Sequence, residues 1–135
     1  MAQLTDKQLV ELAAAAAEKA YAPYSGCCVG AALLCGDGTV FTGSNIENAS
    51  FGATVCAERT ALFTAVHSGK RDFVRLAVAG SKEGKPYTFY PCGICRQTLC
   101  EFCPDDMPVL IATADGYERT TLCKLMPSSF SLGEK

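Results

Sequence analysis

The chain has 135 residues, of which 49% are hydrophobic and 19% charged, and its formal net charge is −2. This length predicts a single domain over 1–135, which can bury enough surface to form a core without disulfide bonds. The small net charge and the short runs of Lys and Arg argue against nucleic-acid binding. No stretch reaches the roughly 18 apolar residues that would predict a membrane span.

Nine cysteines are many for a chain of this length. An odd count without a signal peptide is not typical of a secreted, disulfide-bonded framework. The N-terminal segment over 1–6 lacks the charged and then apolar pattern of such a peptide. We therefore expect a cytoplasmic protein with metal-bound and free thiols.

The first predicted elements are a helix and a β-hairpin. Thr5 and Gln8 have the spacing of a capping box, which predicts a helix from Asp6 to about Ala20. A continuous apolar run and a second strand then flank an Asp-Gly turn, which indicates a hairpin. These strands are Val29 to Leu34, expected to be buried on both faces, and Val40 to Ser44.

The rest of the chain predicts alternating helices and strands. Apolar spacing together with Gly and Pro stop signals sets the expected boundaries. In chain order we predict a loop over 45–55, a helix over 56–68, a strand over 73–79, a polar loop over 81–90, a helix over 93–103, strands over 108–113 and 117–121, and a helical turn over 122–126. This order favours a mixed sheet with helices on its faces.

A C-x-E motif and a P-C-x-x-C motif predict a metal site. They supply three cysteines, Cys56, Cys92 and Cys95, and one carboxylate, Glu58. Three thiolates leave the fourth position of a tetrahedral zinc ion open, which is typical of a catalytic rather than a structural site. Glu58 need not bind the metal and could move protons to and from a water molecule there. The two motifs therefore indicate hydrolytic chemistry.

Two neighbouring residues have alternative interpretations. Arg59 lies one helical turn after Cys56, where it could donate to the thiolates and offset their charge. It could also be an ordinary solvated arginine. Glu58 could be a first-turn glutamate that the helix dipole favours, although the surrounding metal motif argues for the catalytic role.

The remaining cysteines allow a different metal site. Cys92, Cys95, Cys100 and Cys103 form a C-x₂-C-x₄-C-x₂-C run, which could hold a four-thiolate zinc ion or an iron–sulfur cluster. We rank this below the three-thiolate site because the later cysteines share an apolar helical stripe. His67 is too far along its helix to join the metal. The cysteines without metal spacing are interpreted as packing thiols: Cys27, Cys28, Cys35 and Cys123.

The chain resembles the small, homotetrameric, zinc-dependent branch of the cytidine/deoxycytidylate deaminase family. The matching segments occur in the family's order between about residue 5 and about residue 130. They are Tyr21 to Ser25, Val29 to Leu34, Asn45 to Asn48, Cys56 to Phe63, and Pro91 to Gln97.

This resemblance implies a three-layer α/β/α fold with a mixed five-stranded sheet and one Zn²⁺ per subunit. It assigns Cys56, Cys92 and Cys95 as ligands and Glu58 as the proton shuttle. The implied reaction is hydrolytic deamination of cytidine and 2′-deoxycytidine to the corresponding uridines and ammonia, in pyrimidine salvage. The implied partners are a small nucleoside and three further copies of the chain, with no nucleic acid and no membrane.

The resemblance also assigns residues that contact the nucleoside. Asn45 and Glu47 match positions that contact the ribose hydroxyls, and Ala57 matches one whose backbone contacts the pyrimidine. A buried amide and carboxylate would favour a sugar with those hydroxyls, because a substrate without them would leave both groups unpaired. Without the resemblance, the segment 45–48 would be interpreted as a solvated turn.

Three residues of this chain match aromatic positions of the family. Cys27 stands where the family usually has a phenylalanine that packs near the base, so stacking should be weaker. Phe51 stands where a tyrosine is frequent, so one hydroxyl is missing. Phe130 matches an aromatic residue that reaches a neighbouring subunit's pocket, and its alternative is a frayed tail.

Two rival functions remain. A nucleotide or polynucleotide deaminase would need a cationic clamp or a basic groove, and the sequence shows neither. A non-catalytic, zinc-stabilised interaction module would bind zinc without converting cytidine to uridine.

Overall fold

Helices and strands alternate along the computed structural model, which describes residues 4–133. Positions 1–3, part of the argument against a signal peptide, and positions 134–135 of the single predicted domain lie outside that range. Within it the elements are α1 (Asp6–Ala17), β1 (Cys27–Cys35), β2 (Val40–Ser44), a 3-10 turn (Phe51–Ala53), α2 (Ala57–His67), β3 (Phe73–Lys82), β4 (Lys85–Tyr87), α3 (Gly93–Phe102), β5 (Pro108–Thr113), β6 (Gly116–Thr121) and α4 (Leu122–Leu125).

The strands form one mixed sheet, as predicted. Its main path has the order β2-β1-β3-β5-β6. The β3–β5 pair is parallel, and the other pairs along this path are antiparallel. The parallel pair is joined through α3, which is the crossover connection that parallel neighbours require.

A sixth strand, β4, corrects the prediction of a polar loop over 81–90. It pairs with the end of β3, and Gly80 lies opposite Tyr87. The turn between the two strands uses positive φ angles at Glu83 (52°) and Gly84 (81°). The strand has three residues, all exposed, and includes a proline. It therefore lacks the alternation of apolar residues by which strands are recognised in a sequence.

Helices cover both faces of the sheet, which confirms the three-layer architecture. Alternate residues of β1 point to opposite sides. Ala31 and Leu33 pack in the larger core cluster, which includes buried residues of α2 and α3. Ala32 and Leu34 pack against Leu9 of α1 on the other face. A strand that is buried on both faces has no polar alternation, which explains the continuous apolar run in this segment.

The predicted capping box begins helix α1. The Gln8 backbone N–H donates to Thr5 Oγ1 at 3.1 Å, and the Thr5 N–H donates to Gln8 Oε1 at 2.9 Å. The helix ends at Ala17 rather than near Ala20. Asp6 in its first turn accepts from Arg75 Nη1 at 2.5 Å and also from Arg119. These ion pairs connect the start of α1 to β3 and to β6.

The other boundaries differ only slightly from the predictions. Strand β1 begins at Cys27 instead of Val29, and β3 continues to Lys82 instead of Ala79. Strands β2 and β5 have the predicted limits. Strand β6 is the outermost strand at its end of the path, and its residues are exposed or half-buried. None of the helices described within 4–133 has the length and apolar character needed to cross a membrane.

Two glycines let the helices lie directly on the sheet. A Cβ atom added at Gly30 of β1 would lie 2.0 Å from the carbonyl oxygen of Ala13 in α1. A Cβ atom added at Gly43 of β2 would lie 2.5 Å from the backbone nitrogen of Ala61 in α2. Because both obstacles are helix backbone, neither can move aside as a side chain would. These contacts hold α1 and α2 at short distances from the sheet.

We expect the substitution Gly30→Ala to destabilise the fold. The added methyl group would force α1 away from β1, at a cost of at least about 1–3 kcal/mol in the free energy of unfolding. Urea unfolding followed by circular dichroism measures this cost. The matched control is Gly52→Ala, because no atom lies within 4 Å of a Cβ at that position. Equal unfolding midpoints for the two variants would contradict the packing argument.

Candidate metal centre and active site

Two helix N-termini bring three cysteines together. Cys56 is the N-cap residue of α2, Cys92 is the N-cap residue of α3, and Cys95 lies in the first turn of α3. All three are free thiols. Their Sγ atoms lie within 4.8 Å of one another, and Cys56 Sγ is 3.5 Å from Cys92 Sγ. Zinc–sulfur bonds of about 2.3 Å at tetrahedral angles require sulfurs about 3.8 Å apart, so this cluster fits one zinc ion.

The alternative cluster of four cysteines is not assembled. Cys100 and Cys103 are 2% and 1% exposed and belong to the main core cluster. Over residues 4–133, the one group of at least three potential ligand side chains with atoms this close consists of Cys56, Cys92 and Cys95. Cys100 and Cys103 therefore pack in the core, as the apolar helical stripe predicts.

The Arg59 side chain lies against the sulfurs rather than in solvent. Its Nη2 donates to Cys56 Sγ at 3.5 Å, and its Nε is buried without a hydrogen-bond partner. Burial opposes its charge, but the Cys56 and Cys95 sulfurs outweigh burial and raise the pKa of Arg59 further. The guanidinium therefore stays charged and offsets the negative charge that three thiolates would place on one cation.

Cys56 and Cys95 do not ionise equally without a metal. A hydrogen bond from the Cys95 thiol lowers the pKa of Cys56 to about 5, and Arg59 adds to this effect against the influence of burial. The same hydrogen bond, followed by burial, raises the pKa of Cys95. Cys56 is therefore already ionised before a cation binds, whereas Cys95 loses its proton when the cation binds.

Glu58 is a buried carboxyl group beside this cluster. It lies in the first turn of α2, and only 4% of the residue is exposed. Burial, reinforced by the negative charge of Cys56, raises the pKa of Glu58 to about 7. A group with this pKa can both accept and release a proton near neutral pH.

Two cysteines of the cluster, Cys56 and Cys92, line a cleft of about 280 Å³, close to the lower size limit of small-molecule sites. The predicted site residues that line it are Cys27, Asn45, Glu47, Cys56, Ala57, Glu58 and Cys92. Sequence analysis did not single out the other lining residues, which are Ser25, Val29, Thr54, Val55, Phe89 and Tyr90. Of these, only Ser25 and Val29 lie in segments that carry the family resemblance, so the others had no local signal.

Asn45 is held by the backbone of β1. Its Oδ1 accepts from the Val29 N–H at 2.8 Å, and its Nδ2 donates to the Cys27 carbonyl oxygen at 2.7 Å. Each of these groups can make one more hydrogen bond. The side chain therefore fixes the start of β1 and keeps one donor and one acceptor for a ligand.

Glu47 is oriented by the residues before β1. Its Oε1 accepts from the backbone N–H groups of Tyr24 at 2.9 Å and Ser25 at 3.1 Å. The Ser25 hydroxyl donates to its Oε2 at 2.5 Å. This hydroxyl is the main cause of the lowered pKa of Glu47. The side chain is therefore an ionised acceptor at the cleft, and Ser25 fixes its position.

The two other residues that the resemblance assigned to substrate binding, Phe51 and Phe130, lie outside the cleft lining. Phe51 makes an edge-to-face contact with Tyr24, with ring centroids 5.6 Å apart, and lines an adjoining cleft with Glu47. Phe130 is 65% exposed, and its carbonyl oxygen accepts from Gln97 Nε2 at 3.2 Å. It does not line the cleft of its own chain.

The four cysteines interpreted as packing thiols do not behave alike. Cys35 is buried, as predicted. Cys27 and Cys28 are half-buried, and Cys27 lines the cleft. Cys123 is exposed beside the Thr121 hydroxyl, so the packing prediction was wrong for this residue. It is the second residue of the short helix α4 and is exposed, which a four-residue helix cannot reveal by periodicity.

We expect the substitution Arg59→Ala to weaken zinc binding. Loss of the guanidinium removes the positive charge that offsets the thiolates, and losing such a supporting contact typically lowers metal affinity about 10- to 100-fold. Competition with a chromophoric chelator measures the affinity. The control is Arg119→Ala, because Arg119 pairs with Asp6 rather than with the cluster. Unchanged zinc affinity in Arg59→Ala would show that the contact has no electrostatic role.

Comparisons with known proteins agree with this geometry. Residues 3–111 match the sequence model of the cytidine and deoxycytidylate deaminase zinc-binding region. A cytidine deaminase from Sporosarcina psychrophila is 49% identical over 126 residues, which cover 93% of this chain and 90% of the relative. A cytidine deaminase from Halalkalibacterium halodurans is 49% identical over 129 residues, which cover 93% and 95% of the two chains.

Solved structures show the same fold. The crystal structure of a cytidine deaminase from Burkholderia pseudomallei superimposes with a TM-score of 0.86 at 45% sequence identity. The match covers 94% of this chain and 100% of that chain. The sequence relatives, the shared architecture and the three-thiol cluster together show that this chain belongs to the cytidine and deoxycytidylate deaminase family, whose cofactor is zinc.

Proposed function

We propose that this protein catalyses the hydrolytic deamination of cytidine and 2′-deoxycytidine to uridine and 2′-deoxyuridine with release of ammonia. The observation that carries the proposal is the buried carboxyl group of Glu58 next to three clustered thiols in a small cleft. The two sequence relatives described above are both named cytidine deaminase. In the cell, this reaction would serve pyrimidine salvage.

Cys56, Cys92 and Cys95 would hold one Zn²⁺ per chain. When bound, zinc supplies a Lewis acid that activates a water molecule as the nucleophile. The N-termini of α2 and α3 and the Arg59 guanidinium stabilise the ligands as thiolates. These positive charges would keep the three ligands ionised before the substrate binds.

Glu58 would move the protons of the reaction. Its carboxylate takes a proton from the attacking water and gives it to N3 of the pyrimidine ring while C4 is attacked. The same carboxylate then takes the second proton, from the hydroxyl group now on C4, and delivers it to the leaving amino group. The amine departs as ammonia as the C4 carbonyl forms. A pKa of about 7 suits both directions of transfer, because neither protonation state is strongly preferred near neutral pH.

The nucleoside would be recognised through its sugar and its base. Glu47 accepts a hydrogen bond from a ribose hydroxyl, and Asn45 uses its remaining donor and acceptor on the sugar. The Ala57 backbone contacts the pyrimidine. No Lys or Arg is among the described residues that line the cleft, so nothing there favours a phosphate group. The cleft therefore supports a nucleoside rather than a nucleotide substrate.

We also propose a cytoplasmic homotetramer in which neighbouring subunits complete the site. Large apolar side chains are exposed on α2, α3 and the C-terminal segment, notably Phe63 at 47%, Ile94 at 64% and Phe130 at 65%. Apolar surface of this kind is typical of subunit contacts. Phe130 would reach the cleft of a neighbouring copy, and Phe51 would contribute an aromatic edge beside it. The free thiols of the metal cluster suit a reducing compartment.

The substitution Glu58→Gln should abolish most of the turnover while zinc stays bound. Loss of a general acid–base group lowers kcat about 10²- to 10⁴-fold. The loss of ultraviolet absorbance as cytidine becomes uridine measures the rate, and cytidine, deoxycytidine, cytosine and CMP are compared. The matched control, Cys92→Ala, should lose the zinc itself. Near-full turnover by zinc-loaded Glu58→Gln would refute the role of Glu58, whereas an inactive zinc-loaded wild type would favour a non-catalytic zinc module.

Sedimentation equilibrium should show a particle with four times the 14.3 kDa mass of one chain. The substitution Phe63→Glu places a charge on the exposed face of α2 and should shift the particle toward smaller assemblies, because burying that charge is costly. The control is His67→Glu, at the exposed end of the same helix. A monomer for the wild type at micromolar concentration would contradict the proposed assembly.

A further inference from the structure

The cleft has an aromatic wall residue that the sequence comparison did not assign. Phe89 lines the cleft with Glu58 and is packed against the main core cluster. Cys27, which lines the same cleft, offers only a small side chain. The cleft therefore has little aromatic surface at position 27 and a complete ring at position 89.

The Phe89 ring rests directly on the backbone of β3. A Cβ atom added at Gly80 would lie 2.6 Å from Cδ2 and 2.9 Å from Cε2 of that ring, and 2.7 Å from the carbonyl oxygen of Cys28 in β1. Gly80 has no positive φ angle, so its small size serves this close approach rather than an unusual backbone conformation. The strand register pairs Gly80 with Val29 and Lys82 with Cys27. The ring and the Cys27 side chain thus belong to the same end of the same sheet.

Two further contacts restrict the ring. The Tyr87 ring lies 4.9 Å from the Phe89 ring, centroid to centroid, at an interplanar angle of 47°. The next residue, Tyr90, donates its hydroxyl to Glu118 of β6. Phe89 is therefore confined by the Tyr87 ring, by the backbone at Gly80 and by Tyr90, whose hydroxyl is hydrogen-bonded to β6. A ring with so little freedom loses little entropy when it contacts a ligand.

We propose that Phe89 is the specificity-determining residue that packs against the pyrimidine base, in place of an aromatic residue at position 27. This inference rests on the proposed nucleoside deaminase function. A flat, uncharged ring held by the contacts described above suits a planar six-membered heterocycle, and such aromatic contacts change affinity by roughly 2- to 12-fold. Gly80 acts through Phe89 and is a positioning residue.

The test compares Phe89→Leu with Phe102→Leu in the zinc-loaded protein. Phe102 is also partly buried against the main core, but it does not line the cleft. We expect Phe89→Leu to raise the KM for cytidine and the Kd for uridine by roughly 2- to 12-fold, with kcat changed less and zinc content unchanged. Phe102→Leu should leave both constants near their wild-type values.

Two more variants test the position of the ring. Gly80→Ala keeps Phe89, but its methyl group would clash with the ring and with the Cys28 carbonyl oxygen. It should raise the same two constants, and urea unfolding measures the accompanying loss of stability. Cys27→Phe in the Phe89→Leu background should restore part of the lost affinity, because it supplies a ring from the adjacent strand. Unchanged KM and Kd in Phe89→Leu, with an active wild type, would overturn this inference alone. A zinc-loaded wild type that does not convert cytidine would overturn the proposed function and this inference with it.

Discussion

The convergence of two helix N-termini on one group of sulfurs is the constraint on which the rest of the site depends. Helices α2 and α3 lie on the same face of the sheet, and each presents a cysteine at its N-cap. The partial positive charge of both helix ends, together with Arg59, favours ionised sulfur. Clustered thiolates still repel one another, so a bound divalent cation completes the arrangement and contributes to stability.

The same helices that carry the ligands also form the main core. Ala57, Ala61 and Leu62 of α2 are fully buried, as are Cys95 and nearly all of Leu99 in α3. The ligands therefore cannot shift without disturbing close-packed side chains. Catalysis requires positions held within fractions of an ångström, and a site built on packed helices meets this requirement better than one built on loops.

Much of this architecture was predictable because its signals are local. The capping box at Thr5, the two metal motifs and the apolar strands each depend on residues close in sequence. Strand β4 was missed because Lys85, Pro86 and Tyr87 are all exposed and pair only with the end of β3. The contact between Gly80 and the Phe89 ring could not be predicted either. The two residues come together only because the chain reverses direction between β3 and β4. Similarly, the hydrogen bonds between Asn45 and β1 depend on the fold rather than on spacing.

The outermost strand β6 has a consequence for how copies of the chain can meet. An unpaired strand border offers open N–H and C=O groups, onto which another chain can add without limit. In β6 this border carries the charged residues Glu118 and Arg119, both exposed, and Arg119 is also paired with Asp6. Charges at such a border oppose ladder-like, amyloid-type growth. Any contact between copies of this chain is thereby directed away from backbone pairing at this border.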